Sequence, residues 1–222
     1  MAQIGTLTTG AGVQTVIAGQ SQCEEYLLIG DVDTANPLQA IQVEIDGTPY
    51  ITINTAVLIT AYMKWLMQTA GAAVGLLFKV STGMIKKNTT YRLTNSGATT
   101  PAIFAFSDSK NGIPFIATSK QINPSAYEDF EKFSALMVTA PANVSSIEMS
   151  FADGHRATMS AAEAAALTAL RFETETDGYL GTCLVIDNTN QNIVGCRIFC
   201  VTTALTVLVV KLPNEAFKIL NA

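Results

Sequence analysis

The sequence predicts an all-β protein with short helices, built as two similar domains in tandem. Three observations lead there. Short apolar alternations recur along the 222 residues, bounded by Gly, Asn, Asp and Pro turn signals. Hydrophobic residues make up 49% and charged residues only 14%, against a usual charged share of about 25%, so much of the surface is hidden or set against neighbours. The chain also repeats itself about 107 positions apart. The first copy runs Glu24-Glu25-Tyr26, Ala35-Asn36, then Ile41, Val43 and Ile45 in alternation to Asp46-Gly47. The second runs Glu131-Lys132-Phe133, Ala142-Asn143, then Ile147, Met149 and Phe151 to Asp153-Gly154. So long a period excludes short solenoid repeats and implies two domains, 1–120 and 121–222.

Each element follows from local pattern. Met1 to Gly12 is rich in Thr and Gly and reads as an arm or edge strand. Val13 to Ala18 and Glu25 to Ile29 read as strands around Gly19-Gln20-Ser21. Leu38 to Ile45 places Ile41, Val43 and Ile45 on one face, with Gln42 and Glu44 on the other. Asp46-Gly47 supplies the pair that tolerates positive φ in a tight hairpin, and Pro49 to Ile53 returns. A helix follows, capped by Asn54, with Leu58, Tyr62, Trp65 and Leu66 on one side. Strands resume at Leu76 to Val80, Thr90 to Thr94 and Ala102 to Ser107, with turns at Asn95-Ser96-Gly97 and Asn111-Gly112.

Thr118 to Asp129, with Asn123-Pro124-Ser125, is the expected linker. In the second half, Asp153-Gly154 leads to a short return segment. Ser160-Ala161-Ala162-Glu163 is then a capping box opening an Ala-rich helix to about Phe172. Thr182 to Ile186, Ile193 to Val201 and Leu205 to Leu212 are strands around the 188–192 turn, and Glu215 to Leu220 adds a short helix. Both halves thus share one order: strand, Asp-Gly turn, short strand, cap, helix, strands. Such elements build sandwiches or barrels, one per half.

Composition excludes several functions. Net charge is −5, and no Lys or Arg precedes Lys64. Without clustered basic residues, direct nucleic-acid binding is not expected. The acidic first segment reads as a solvated outer surface. Cys196 and Cys200, four apart on a strand, are about 13 Å from each other, too far for a disulfide. Together with Cys23 and Cys183 they read as buried free thiols of a reducing compartment. The N-terminus lacks the positive region of a secretory signal, so export by that route is not expected. The most apolar run, Trp65 to Phe78, is too short to span a bilayer, which needs about 18 residues or more.

No enzyme signature emerges. His155, the single histidine, lies at a turn with no nucleophile elbow to serve it. Asp46 and Asp153 fit turn-stabilising roles better than paired metal or catalytic carboxylates. Glu24, Glu25, Asp31 and Asp33 could gather Ca²⁺ at a subunit contact, although their spacing is not that of a calcium loop. Trp65 fits a helix packed over a barrel end better than a membrane anchor. No catalytic, cofactor-binding or metal-ligating residue is therefore assigned.

Val16-Ile17-Ala18-Gly19-Gln20-Ser21, Ile41-Gln42-Val43-Glu44-Ile45-Asp46-Gly47 and Ile147-Glu148-Met149-Ser150-Phe151-Ala152-Asp153-Gly154 carry a resemblance. With the doubled strand-turn-helix order, the chain resembles the double jelly-roll major capsid proteins of tailless icosahedral viruses with an internal membrane. The likeness is greatest to corticovirus-like bacteriophages, within the adenovirus hexon lineage. The resemblance implies two tandem jelly-roll β-barrels and no enzymatic activity. It further implies a pseudo-hexagonal homotrimer that tiles an icosahedral shell around a membrane. Expected partners are other copies, penton and minor capsid or membrane proteins, and peripherally the internal lipid. The protein would reside in the host cytoplasm before assembly and in the virion afterwards. Some family members bind Ca²⁺ between subunits, but no matching ligand set is identifiable here.

The chain is short for two eight-stranded barrels, which predicts no tall towers and leaves open one incomplete barrel. Rival readings are a phage vertex or spike protein and a carbohydrate-binding β-sandwich module. A cupin-like enzyme lacks its histidine ligands.

Overall fold

A computed structural model describes residues 2–19, 24–29, 38–67, 76–81, 88–97, 101–108, 115–163, 166, 183–189 and 192–211. Two compact units emerge. The first contains Met1–Met67 and Ala73–Thr118, and the second contains Ser119–Lys211.

The first unit comprises β1 (Ala2–Thr6), β2 (Gln14–Ala18), β3 (Glu24–Ile29), β4 (Leu38–Ile45), β5 (Thr48–Ile53), α1 (Ala56–Met67), β6 (Leu76–Ser81), β7 (Thr89–Asn95) and β8 (Ala102–Asp108). Its strands pair as a nested set: β1 with β8, β2 with β7, β3 with β6, β4 with β5. Two four-stranded arrays result, β1-β8-β3-β6 and β5-β4-β7-β2. Nested pairing of eight strands into two facing arrays defines a jelly roll.

The second roll comprises β9 (Ile116–Ile122), whose residues up to Thr118 belong to the first compact unit, then β10 (Tyr127–Glu131), β11 (Ala135–Thr139), β12 (Val144–Phe151), β13 (Arg156–Met159), β14 (Cys183–Asp187), β15 (Ile193–Cys200) and β16 (Leu205–Lys211). The nesting repeats: β9 beside β16, β10 with β15, β11 with β14, β12 with β13. Eight strands stand in each roll among the described residues, so the rival with one incomplete barrel is set aside.

Alternation explains the cores. Ile41, Val43, Ile45, Ile51, Ile53, Tyr91 and Leu93 are buried from one face of β4, β5 and β7. α1 contributes Leu58, Tyr62 and Trp65, all buried. In the second unit, Leu136, Val138, Ile147, Met149, Leu184, Ile186, Cys196, Ile198 and Val207 form one cluster. β11 is buried from Ala135 to Val138 and β14 along its whole length, so both have apolar residues on both faces.

Three expectations need correction. Thr118 to Asp129 is not a linker, because β9 and β10 occupy most of it and Asn123-Pro124-Ser125 is only their turn. The cap of α1 is Thr55, whose Oγ1 accepts the Leu58 N–H at 3.3 Å, and not Asn54. The two Asp-Gly turns also differ. Asp46 and Gly47 both take positive φ, 50° and 76°, in a two-residue turn between Ile45 and Thr48. In the second turn only Gly154 does, at 86°. The capping box does form: Glu163 Oε2 accepts the Ser160 N–H at 2.8 Å, and Ser160 Oγ accepts the Glu163 N–H at 3.3 Å. The Gln20-Ser21 and Asn111-Gly112 turns, the helix continuing to Phe172, the Glu215 to Leu220 helix and Cys23 lie outside the described residues.

Candidate functional site

The sequence candidates do not converge. His155 is exposed beside Phe151, with ring centroids 5.9 Å apart. Its N–H donates to Asp153 Oδ1 at 2.9 Å, while Asp46 Oδ1 accepts the Asn88 N–H at 2.9 Å. Each aspartate thus braces backbone. Asp31, Asp33 and the side chains of Glu24 and Glu25 lie outside the described residues. Among the described residues, no group of three or more His, Cys, Asp or Glu is placed to hold a metal ion. Cys183, Cys196 and Cys200 are free and buried, and burial pushes the thiols of Cys183 and Cys196 up to about 12. Such thiols are inert packing groups. Trp65 is 3% exposed and meets Phe115 edge-on at 5.2 Å, in keeping with its packing role. No helix among the described residues is long and apolar enough to cross a membrane.

The polar chemistry that is organised lies on outer sheet faces. Arg92 on β7 donates through Nε to Glu44 Oε1 at 2.8 Å and through Nη2 to Oε2 at 3.3 Å, while Gln42 Nε2 donates to the same Oε1 at 3.0 Å. Arg197 on β15 grips Asp129 likewise, at 2.7 and 3.0 Å, and lies 4.5 Å from the Tyr127 ring centroid. These guanidinium hydrogen bonds hold the Glu44 and Asp129 carboxyls below the ordinary carboxylate range.

The two arginines are duplicates of one position. Arg92 stands between Val16 and Gln42, and Arg197 between Asp129 and Glu148, on matching strands. Neither was singled out by sequence. The available signal was a lone cation inside apolar alternation, Tyr91-Arg92-Leu93 and Cys196-Arg197-Ile198. Beside Arg197, an open concavity of about 590 Å³ lies over Gly195, bordered by Glu131, Glu148, Arg156 and Thr158.

The remaining reactive surface is backbone. Among the described strands, β1, β6, β10 and β13 end their arrays, as do β2 and β14. A strand that ends an array is where pairing with a further strand can take place. Val16 on β2 and Tyr127 on β10 expose 54% and 53% of their surface at such edges. The arrangement suits protein contacts, and the described residues singled out above do not come together as a catalytic constellation.

No protein-family model matches the chain, and no curated protein sequence does either. Solved structures do. The major capsid protein P2 of bacteriophage PM2 aligns over 95% of this chain and 96% of its own, at 14% identity and a TM-score of 0.57. The major capsid protein of STIV, the Sulfolobus turreted icosahedral virus, aligns over 100% and 98%, at 11% identity and 0.62. The PBCV-1 virus capsid structure aligns over 95% and 92%, at 10% identity and 0.50. The chain therefore has the double jelly-roll fold of these viral major capsid proteins.

Proposed function

We propose that this protein is a structural capsid subunit whose homotrimers form pseudo-hexagonal capsomers that tile an icosahedral shell around an internal membrane. One observation carries the reading: two rolls of eight described strands each, with the same nesting, in one chain. A single roll offers one asymmetric tile. Two tandem rolls give a three-copy ring six similar outer faces, the outline that six-neighbour packing needs. The low charged fraction and the strands that end each array fit a surface destined for neighbours. The structural likenesses, covering nearly the full length of chains named as major capsid proteins, support the same role. In this reading the protein carries no catalytic activity. Penton, minor capsid or membrane proteins would meet the trimers at vertices and at the inner surface, and the virion would be their final location.

Size-exclusion chromatography with light scattering tests the assembly step. A stable trimer is expected, while a monomer that binds sugar would replace this reading with that of a carbohydrate-binding module. Quantifying the protein in purified particles then separates shell from vertex, since a shell subunit is present in hundreds of copies.

A further inference from the structure

The two rolls match strand for strand, yet one edge strand has two neighbours in the first and, among the described strands, one in the second. In the first unit β5 lies between β4 and β9, with Ile51 and Thr52 pairing in parallel with Ala117 and Thr118. The counterpart of β5 is β13. The pairs Ile147↔Met159 and Met149↔Ala157 repeat Ile41↔Ile53 and Val43↔Ile51, so Thr158 takes the place of Thr52. Among the described strands, β13 has only β12 beside it. The counterpart of β9 is β1, since each opens its roll and lies beside the closing strand, β16 or β8. β1 likewise has one neighbour among the described strands.

We propose that β1 of a second copy covers β13 in parallel, as β9 covers β5 within the chain. The contact rests on the trimer reading above and names its strands. The backbone is set up for it. Phe151 N–H donates to His155 O at 2.9 Å, and alternation along an antiparallel ladder places the next bonded pairs at Met149↔Ala157 and Ile147↔Met159. The N–H and C=O groups of Arg156 and Thr158 therefore point away from β12. Neither β1 nor β13 contains Pro, β1 bears no charged side chain, and β13 bears only Arg156. β10, by contrast, carries Glu128, Asp129 and Glu131, which repel a second copy of itself. Leu7 and Ile122 are the buried residues at the ends of the two opening strands. Counting back four from each sets Gln3 against Thr158 as Thr118 stands against Thr52. The contact joins unlike surfaces head to tail, so it repeats until it closes on itself.

Thr158→Pro removes the outward N–H of an edge strand and leaves the pairing with β12 intact. In the full chain it should shift the light-scattering mass from trimer to monomer, weakening association roughly tenfold or more. Thr158→Ala, which keeps the N–H, should remain trimeric. In a separate chain with Gln3→Cys and Thr158→Cys, oxidation should yield intermolecular disulfides in species that stop at three copies. That measurement decides the matter even where the proline variant loses its fold by circular dichroism. A trimeric wild type without the cross-link overturns the strand pairing and spares the trimer. A folded Thr158→Pro chain that remains trimeric does the same. A cross-linked ladder beyond three overturns ring closure, and a monomeric wild type overturns both readings.

Discussion

Asp46-Gly47 and Asp153-Gly154 look identical in sequence and do different things. At the first, two consecutive positive φ values turn the chain in two residues, the geometry that matches the twist of a hairpin. At the second, Gly154 N–H donates to Phe151 O at 3.0 Å and the glycine alone takes positive φ. No other atom lies within 4 Å of a Cβ built on either glycine, so conformation and not crowding selects the residue. Gly47→Ala and Gly154→Ala should each cost about 1–2 kcal/mol in urea unfolding, whereas Asp46→Asn should be close to neutral.

The two arginine-carboxylate pairs make a second residue-scale prediction. Their carboxyls titrate below the ordinary range, so the stabilisation they provide is present above the unfolded value near ~4 and is lost as pH falls through the folded value. Carboxyl NMR titration of Arg197→Met should return Asp129 to the ordinary range, and the stability difference from wild type should vanish in strong acid. An unmoved Asp129 midpoint would contradict the pairing.

At the scale of elements, α1 is fixed at its start by one hydroxyl. Thr55→Ala should cost about 1 kcal/mol, and Asn54→Ala almost nothing, by thermal or urea unfolding. The sequence pointed to Asn54 because Asn and Thr are both good caps, and only the backbone decides which of two neighbours leaves the helix first. Strands with strict alternation were legible: β4 was bounded correctly at Leu38 and Ile45, and β7, β8, β15 and β16 to within a residue. β9 and β10 were not, because only Ala117, Ile122 and Phe130 on them are buried and the other side chains are exposed or half-buried. Ile122 and Phe130 are buried, but Ser119, Lys120, Gln121, Glu128 and Asp129 around Pro124 have the composition of a linker. β11 escaped for the opposite reason. A short run buried on both faces carries no period to detect, and its place was set by β14 and β16 on either side. The interaction surface was the least legible part, since a strand edge consists of backbone groups that every sequence possesses.

At the scale of the molecule, duplication was readable as a repeated order of turn, cap and helix long before identity could establish it. The matched pairs Val43↔Ile51 and Met149↔Ala157 then show it as geometry. The nested pairing of each roll also dictates how the chain reaches its native state. β4 meets β5 across two residues, but β1 must wait for β8, which begins at Ala102. Contacts so distant along the chain slow the search for the native topology. Refolding measured by stopped-flow fluorescence of Trp65 should therefore take milliseconds to seconds, and a microsecond phase carrying the full amplitude would contradict it. During synthesis the first roll stays unclosed until about half the protein has left the ribosome, whereas its innermost hairpin forms early. β1, made before its partner β8, is thus among the last strands of its roll to be secured.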